Sequence, residues 1–155
     1  MTGSPSARLA ALGVTLPAVT APLAAYVPAV RAGRYVYTAG QLPFVAGQLP
    51  RTGKVGADVT AADAAGLARI CALNALAAVT SVTDSLDSVA RIIKVTGFVA
   101  SDPAFTGQAA VVNGASEFLL EVFGDAGRHA RSAVGMAVLP MDAPVEIELI
   151  AEVHV

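Results

Sequence analysis

Four side chains stand out in a chain with few polar groups: Arg131, Glu146, Tyr26 and Asn113. An arginine offers a planar fork of donors that grips a carboxylate through two parallel bonds, each charge-assisted bond contributing about 1.5–3 kcal/mol. A glutamate placed across from it can orient and deprotonate a water molecule. Arg131 opens one expected strand and Glu146 lies on the polar face of another, so the two also read as an ion pair across adjacent strands. From spacing alone, Asn113 is a helix-surface amide and Tyr26 an amphipathic core residue of the first strand.

Other chemistries lack their residues. A metal site needs convergent thiolate, imidazole or carboxylate ligands, and the chain has Cys71, His129 and His154, far apart in sequence. Gly47 to Lys54, GQLPRTGK, imitates a phosphate-binding loop, but it has five residues between its glycines and Val55 where a hydroxyl is needed. It reads as a turn. With no GxSxG elbow and no GxGxxG after a strand, covalent serine catalysis and dinucleotide binding have no support in the sequence. No metal is expected.

The elements that must position these residues belong to a chain of 155 residues, 55% hydrophobic and 14% charged, with a net charge of -2. The charged fraction is well below the usual ~25%. A domain this small cannot hide so much apolar surface alone, so a homo-oligomer with an apolar interface is expected. Ten Lys plus Arg in an acidic chain argue against a nucleic acid partner, which needs clustered positive charge. Cys71 cannot form an intrachain disulfide and reads as a small buried hydrophobe. The apolar stretch from Ala61 to Val82 carries Asp63, Arg69 and Asn74 and reads as a buried helix, not a membrane span. Arg8 is followed by a weakly apolar stretch broken by Gly13 and Pro17, which does not make a secretory signal. A cytoplasmic protein is expected.

Along the chain, Ser4 caps a short helix that has Pro5 at its first position and stops at Gly13. Two strands, Tyr26 to Arg31 and Arg34 to Thr38, flank a tight turn at Ala32-Gly33, and Gly40 to Gly56 is a loop. Thr60 caps a long helix with Asp63 in its first turn, ended by Asp84 to Asp87. A third strand runs from Val89 to about Val99, and a second long helix runs from Asp102-Pro103 to Gly124. Ser132 to Leu139 is the next strand. From Val145 to Val155 apolar and polar residues alternate with a clean period of two, giving one core face and one polar face. This order implies an α+β layer with two helices on one face of a mixed sheet, in one domain spanning 1–155.

The segments Tyr35-Val-Tyr-Thr-Ala-Gly-Gln-Leu-Pro43, Val111-Val-Asn-Gly-Ala-Ser-Glu-Phe118, Arg131-Ser-Ala-Val-Gly-Met-Ala-Val-Leu-Pro140 and Val145-Glu-Ile-Glu-Leu-Ile-Ala151 resemble the YjgF/RidA family of reactive-intermediate deaminases. The likeness spans roughly Ala25 to Val155, leaving 1–24 as an N-terminal extension with its short helix. It implies a chorismate-mutase-like α+β fold assembled as a homotrimer, with ligand clefts between subunits. It also implies cofactor-independent hydrolysis of small enamine or imine acids, such as 2-aminoacrylate, to 2-keto acids and ammonia.

Carried over position by position, Arg131 matches the arginine that grips the substrate carboxylate and Glu146 the glutamate that holds the attacking water. Tyr26 matches a pocket-wall tyrosine, Gly40 the glycine of the loop lining the cleft, and Asn113 a pocket-proximal asparagine. Two positions depart from the pattern: Ala39 stands where the deaminases commonly have serine, and Ala133 where they have cysteine. Those departures, the N-terminal helix and the longer Gly47 to Asp58 loop place the chain on a side branch of the resemblance. They keep open a second reading, a homotrimer that binds a small carboxylate without turning it over. An endoribonuclease, the older label for some relatives, is the least favoured reading because the chain has no basic stripe.

Overall fold

The computed structural model describes residues 3–19 and 25–154. Its elements are α1 (Pro5–Ala11), β1 (Ala29–Ala32), β2 (Tyr35–Thr38), α2 (Ala61–Thr80), β3 (Val89–Ala100), α3 (Gln108–Phe123), β4 (Ala130–Met136) and β5 (Val145–Val153). The five strands form one mixed sheet in the order β1-β2-β5-β3-β4. Only the β3–β4 pair is parallel, as expected of two strands joined by a crossover helix, here α3.

Helices α2 and α3 cover one face of the sheet. Leu67, Leu76, Val95, Val99, Phe118, Leu119, Ile147 and Leu149 are buried between the layers. The alternating burial along β5 follows its two-residue sequence period. Thr60 Oγ1 accepts the amide of Asp63 at 3.1 Å, so α2 starts where its capping residues predict. The helix is long and apolar enough to cross a membrane by length and composition, but it spends its apolar surface on the sheet and on α3. Close approach of the layers depends on two glycines. A Cβ on Gly97 of β3 would lie 2.3 Å from the Val112 side chain, and one on Gly114 of α3 would lie 1.9 Å from the Ala65 carbonyl oxygen of α2.

Several boundaries differ from the sequence reading. Strand β1 begins at Ala29, leaving Tyr26 outside the sheet and half exposed, because Pro28 has no amide hydrogen for the ladder. The hairpin turn is Gly33-Arg34, with Gly33 at φ +62°, one residue later than expected. Helix α2 stops at Thr80 rather than at Asp84 to Asp87. Asp102 does not open α3: its carboxylate accepts the Ala104 amide at 2.8 Å and its carbonyl the Phe105 amide at 2.9 Å. That turn uses Pro103, and α3 begins at Gln108. Strand β4 is Ala130–Met136, not Ser132 to Leu139, and β5 ends at Val153, with Val155 outside the described residues.

Among the described residues no helix covers the other, open face of the sheet. Val30 and Tyr37 pair across β1 and β2, and Tyr37 pairs with Ile150 of β5, which pairs with Lys94 of β3. These residues share that face with Phe98, Val134 and Glu146. Val30, Tyr35, Tyr37, Val134 and Met136 are exposed in the single chain.

Candidate functional site

Strand register separates the two charged residues that the sequence brings together as a pair. Arg131 pairs with Val95, and Val95 with Leu149, a row that points toward the helices. Glu146 pairs with Phe98, and Phe98 with Val134, a row that points to the open face. Strand β3 lies between β4 and β5. Arg131 and Glu146 therefore form no cross-strand ion pair, and within one chain they lie on opposite faces of the sheet.

Arg131 is held against α3. Its Nη1 donates to Asn113 Oδ1 at 2.7 Å and to Ser116 Oγ at 3.2 Å, and its Nη2 donates to the Ala109 carbonyl at 3.3 Å. Positions 109, 113 and 116 recur at helical spacing, so one face of α3 presents three acceptors in a row. A guanidinium carries five N–H donors. Among the described residues, the Nε hydrogen and one Nη2 hydrogen of Arg131 have no acceptor. Those two donors remain available to an incoming anion. Asn113 is thus the arginine's acceptor, and it is also an exposed helix-surface amide that lines the space beside Arg131.

A cavity of about 300 Å³ opens beside this arginine, lined by Asn113, Ser116, Leu120, Arg128, His129 and Arg131. Of these, Ser116 is no candidate from sequence, and His129 is one there only as a metal ligand. Ser116 and His129 lie 2.9 Å apart, Oγ to Nε2, and His129 Nδ1 lies 2.6 Å from the Gly127 carbonyl oxygen. Burial holds the His129 imidazole below its ordinary pKa; the Gly127 hydrogen bond opposes this and the nearby Arg131 charge adds to it. The available signals were a serine three residues after Asn113 on the helix and a histidine two residues before Arg131.

Glu146 lies apart from this group, against Gly40. Gln41 and Ile147 exchange backbone hydrogen bonds of 2.8 and 3.0 Å, which fastens the loop after β2 along β5. Asn74, a buried polar residue of α2, donates to the carbonyls of Leu42 and Phe44 at 2.9 and 3.1 Å and pins the same loop from the helix side. Gly40 is thereby pressed on Glu146: an added Cβ would lie 1.7 Å from Oε1. Burial, and then the neighbouring Glu148 charge, raise the Glu146 carboxyl above its ordinary pKa.

The remaining candidates are less connected. Ala39 takes part through its backbone, its amide donating to the Pro28 carbonyl at 2.8 Å and its carbonyl accepting from Gln41 Nε2 at 3.2 Å. Ala133 follows Arg131 on the helix-facing side of β4 and packs against the core. Tyr26 joins neither group. The GQLPRTGK segment is a turn, closed by paired backbone bonds between Val45 and Gln48, and Lys54 leads into another turn instead of a helix. Among the described residues no group of three His, Cys, Asp or Glu could hold a metal ion.

Residues 6–153 match the family model described as "YjgF/chorismate mutase-like, putative endoribonuclease". The chain is 42% identical over 153 residues to protein TCP17 of Trypanosoma cruzi, covering 98% of this chain and 96% of that protein. A crystal structure of an Agrobacterium tumefaciens protein of unknown function aligns with a TM-score of 0.90 at 46% identity, covering 97% of this chain and 92% of that one. The Escherichia coli protein TdcF with bound serine aligns with a TM-score of 0.67 at 30% identity, covering 90% and 96%.

Proposed function

The chain belongs to the YjgF/chorismate mutase-like family, and from that premise we propose that it hydrolyses small enamine or imine acids to 2-keto acids and ammonia. The observation that carries this reading is the clamp on Arg131. Three acceptors on α3 fix the guanidinium, two of its hydrogens are left without an acceptor among the described residues, and the residue lines a cavity of about 300 Å³. Such an arginine pays its ordering entropy on folding and not on binding. A carboxylate docking there would take two charge-assisted bonds. The structure of TdcF with bound serine is of a relative holding a small amino acid, which is the ligand class such a fork suits.

Glu146 supplies the second half of the chemistry. Its raised pKa brings the carboxyl closer to neutrality, where a group can take a proton from water and return it. Water adds to the imine carbon, the resulting carbinolamine expels ammonia, and the keto acid remains. Because Arg131 and Glu146 face opposite sides of the sheet in one chain, a site using both takes Arg131 from one copy and Glu146 from another. A homotrimer with clefts between subunits provides this, and the exposed apolar residues on the open face supply a surface for it. Light scattering should then report a trimer; a monomer would exclude the two-chain site.

The second reading is a trimer that binds a small carboxylate without turnover, and Ala39 and Ala133 favour it. Both place a methyl group where the resemblance expects a hydroxyl or thiol. The acidic balance of the chain disfavours the ribonuclease label carried by the family description. Ammonia release from freshly generated 2-aminoacrylate, with and without Arg131→Ala, decides between the readings. Acceleration lost in the variant supports deamination. No acceleration by a folded trimer, with an Arg131-dependent rise in melting temperature on adding a 2-keto acid, supports the binder.

A further inference from the structure

We propose that Ser116 is a nucleophile activated by His129, and that this dyad hydrolyses small esters whose acyl part carries a negative charge. The inference does not rest on the deamination reading, since it needs neither an enamine nor a second copy of the chain.

The hydrogen-bond directions follow from the partners. A backbone carbonyl can only accept, so the 2.6 Å contact to Gly127 places the ring hydrogen of His129 on Nδ1. Nε2 is then a bare acceptor, and at 2.9 Å it receives the Ser116 hydroxyl hydrogen. This is the nucleophile–base–orienter arrangement, with a carbonyl in the orienting position. A serine in the middle of a helix usually returns its hydroxyl hydrogen to the preceding turn. Among the described residues, Ser116 instead has His129 and Arg131 as its partners.

The backbone is shaped to bring these groups together. The tight turn Gly124–Gly127 folds the chain back on the end of α3, and a Cβ on Gly127 would lie 2.4 Å from the Leu119 carbonyl oxygen. Only glycine fits there, and its closeness to the helix is what carries His129 over Ser116. Arg131 Nη1 donates to the same Oγ at 3.2 Å. One lone pair of the oxygen remains free to attack.

In the reaction, Oγ bonds to the ester carbonyl carbon as the hydroxyl proton passes to Nε2, and the carbonyl π pair moves onto oxygen. Collapse breaks the carbon–alkoxide bond, and the proton on Nε2 goes to the departing alkoxide. Water then attacks the acyl-serine, giving its proton to Nε2 and releasing the acid as the proton returns to Oγ. Ester and water become acid and alcohol, with nothing else consumed. The cavity of about 300 Å³ admits a short acyl chain, and its lining holds Arg128 and Arg131 but no carboxylate. Arg128 shares its charge with the exposed Asp125 through a 3.1 Å bond, which leaves Arg131 as the main anion partner.

An alkyl fluorophosphonate tests the nucleophile directly, read by intact mass and peptide mapping. The folded protein should gain one adduct, at Ser116, and Ser116→Ala should gain none. In His129→Gln the labelling rate should fall about 100-fold, the scale of a lost general base. For the native protein the rate should drop with acid through a pKa below that of an ordinary histidine. Hydrolysis of mono-4-nitrophenyl succinate should exceed that of 4-nitrophenyl acetate and vanish in Ser116→Ala. No adduct at Ser116 in the native protein would overturn the proposal, as would equal labelling in His129→Gln or ester hydrolysis that survives in Ser116→Ala.

Discussion

Replacing Gly40 with alanine separates the stability of the fold from the placement of Glu146. The Gly40 backbone is not in the left-handed region, so alanine can adopt it, and the conflict is purely spatial. The new methyl carbon would lie 1.7 Å from Oε1, 2.7 Å from Cδ and 3.1 Å from Cγ of Glu146. Ordinary contact needs about 3.4 Å or more, so the carboxylate must retreat by close to 2 Å. The obstacle is the far end of a flexible side chain, and the retreat costs about one off-rotamer torsion, roughly 0.5–1.5 kcal/mol. In a domain of this size that is a fall in Tm of about 2–4 °C per kcal/mol. The effect on catalysis is much larger, because a reacting group displaced by about 1 Å can lose 100-fold in rate.

Thermal melts at one fixed protein concentration, as the proposed trimer requires, and ammonia release from 2-aminoacrylate measure both sides of the Gly40→Ala prediction. Full turnover in the folded variant would refute the placement of Glu146 at the reacting water. A loss of several kcal/mol would refute the idea that the side chain, and not the loop, gives way.

A second comparison concerns the helix layer: Gly114→Ala should destabilise by about 3 kcal/mol, because rigid Ala65 backbone blocks the methyl group. Gly66→Ala on α2 meets nothing within 4 Å and should stabilise by about 0.5–1 kcal/mol; urea titration checks both. For pH, the lowered His129 pKa means the unfolded chain binds more protons between the two pKa values, so its contribution is present above the ordinary histidine range and is lost as pH falls through the folded value. Melts of His129→Gln should lack that acid decline. Glu146 has the opposite sign: its raised pKa makes the folded state less stable as pH rises through the carboxylate range, and Glu146→Gln should flatten this slope. The buried Cys71 thiol is pushed well up by burial, so it should resist iodoacetamide in the native protein and react fully in denaturant.

The sequence by itself determined the elements whose causes are local. Strand β5 is legible because alternating residues meet alternating environments, and α2 because Thr60 and Asp63 make a start signal within four residues. The motif around Arg131 and Glu146 likewise pointed to the family. Only the tertiary structure decided how those residues meet. Strand order depends on packing across the whole chain, and it set β3 between β4 and β5, turning an apparent ion pair into two groups on opposite faces. Asn113 is the surface amide its spacing suggests, but that it accepts from Arg131 depends on α3 packing beside β4. Ser116 and His129, 13 residues apart, were invisible as a pair. Their meeting depends on a glycine turn folding back onto a helix, a contact that no short-range pattern encodes.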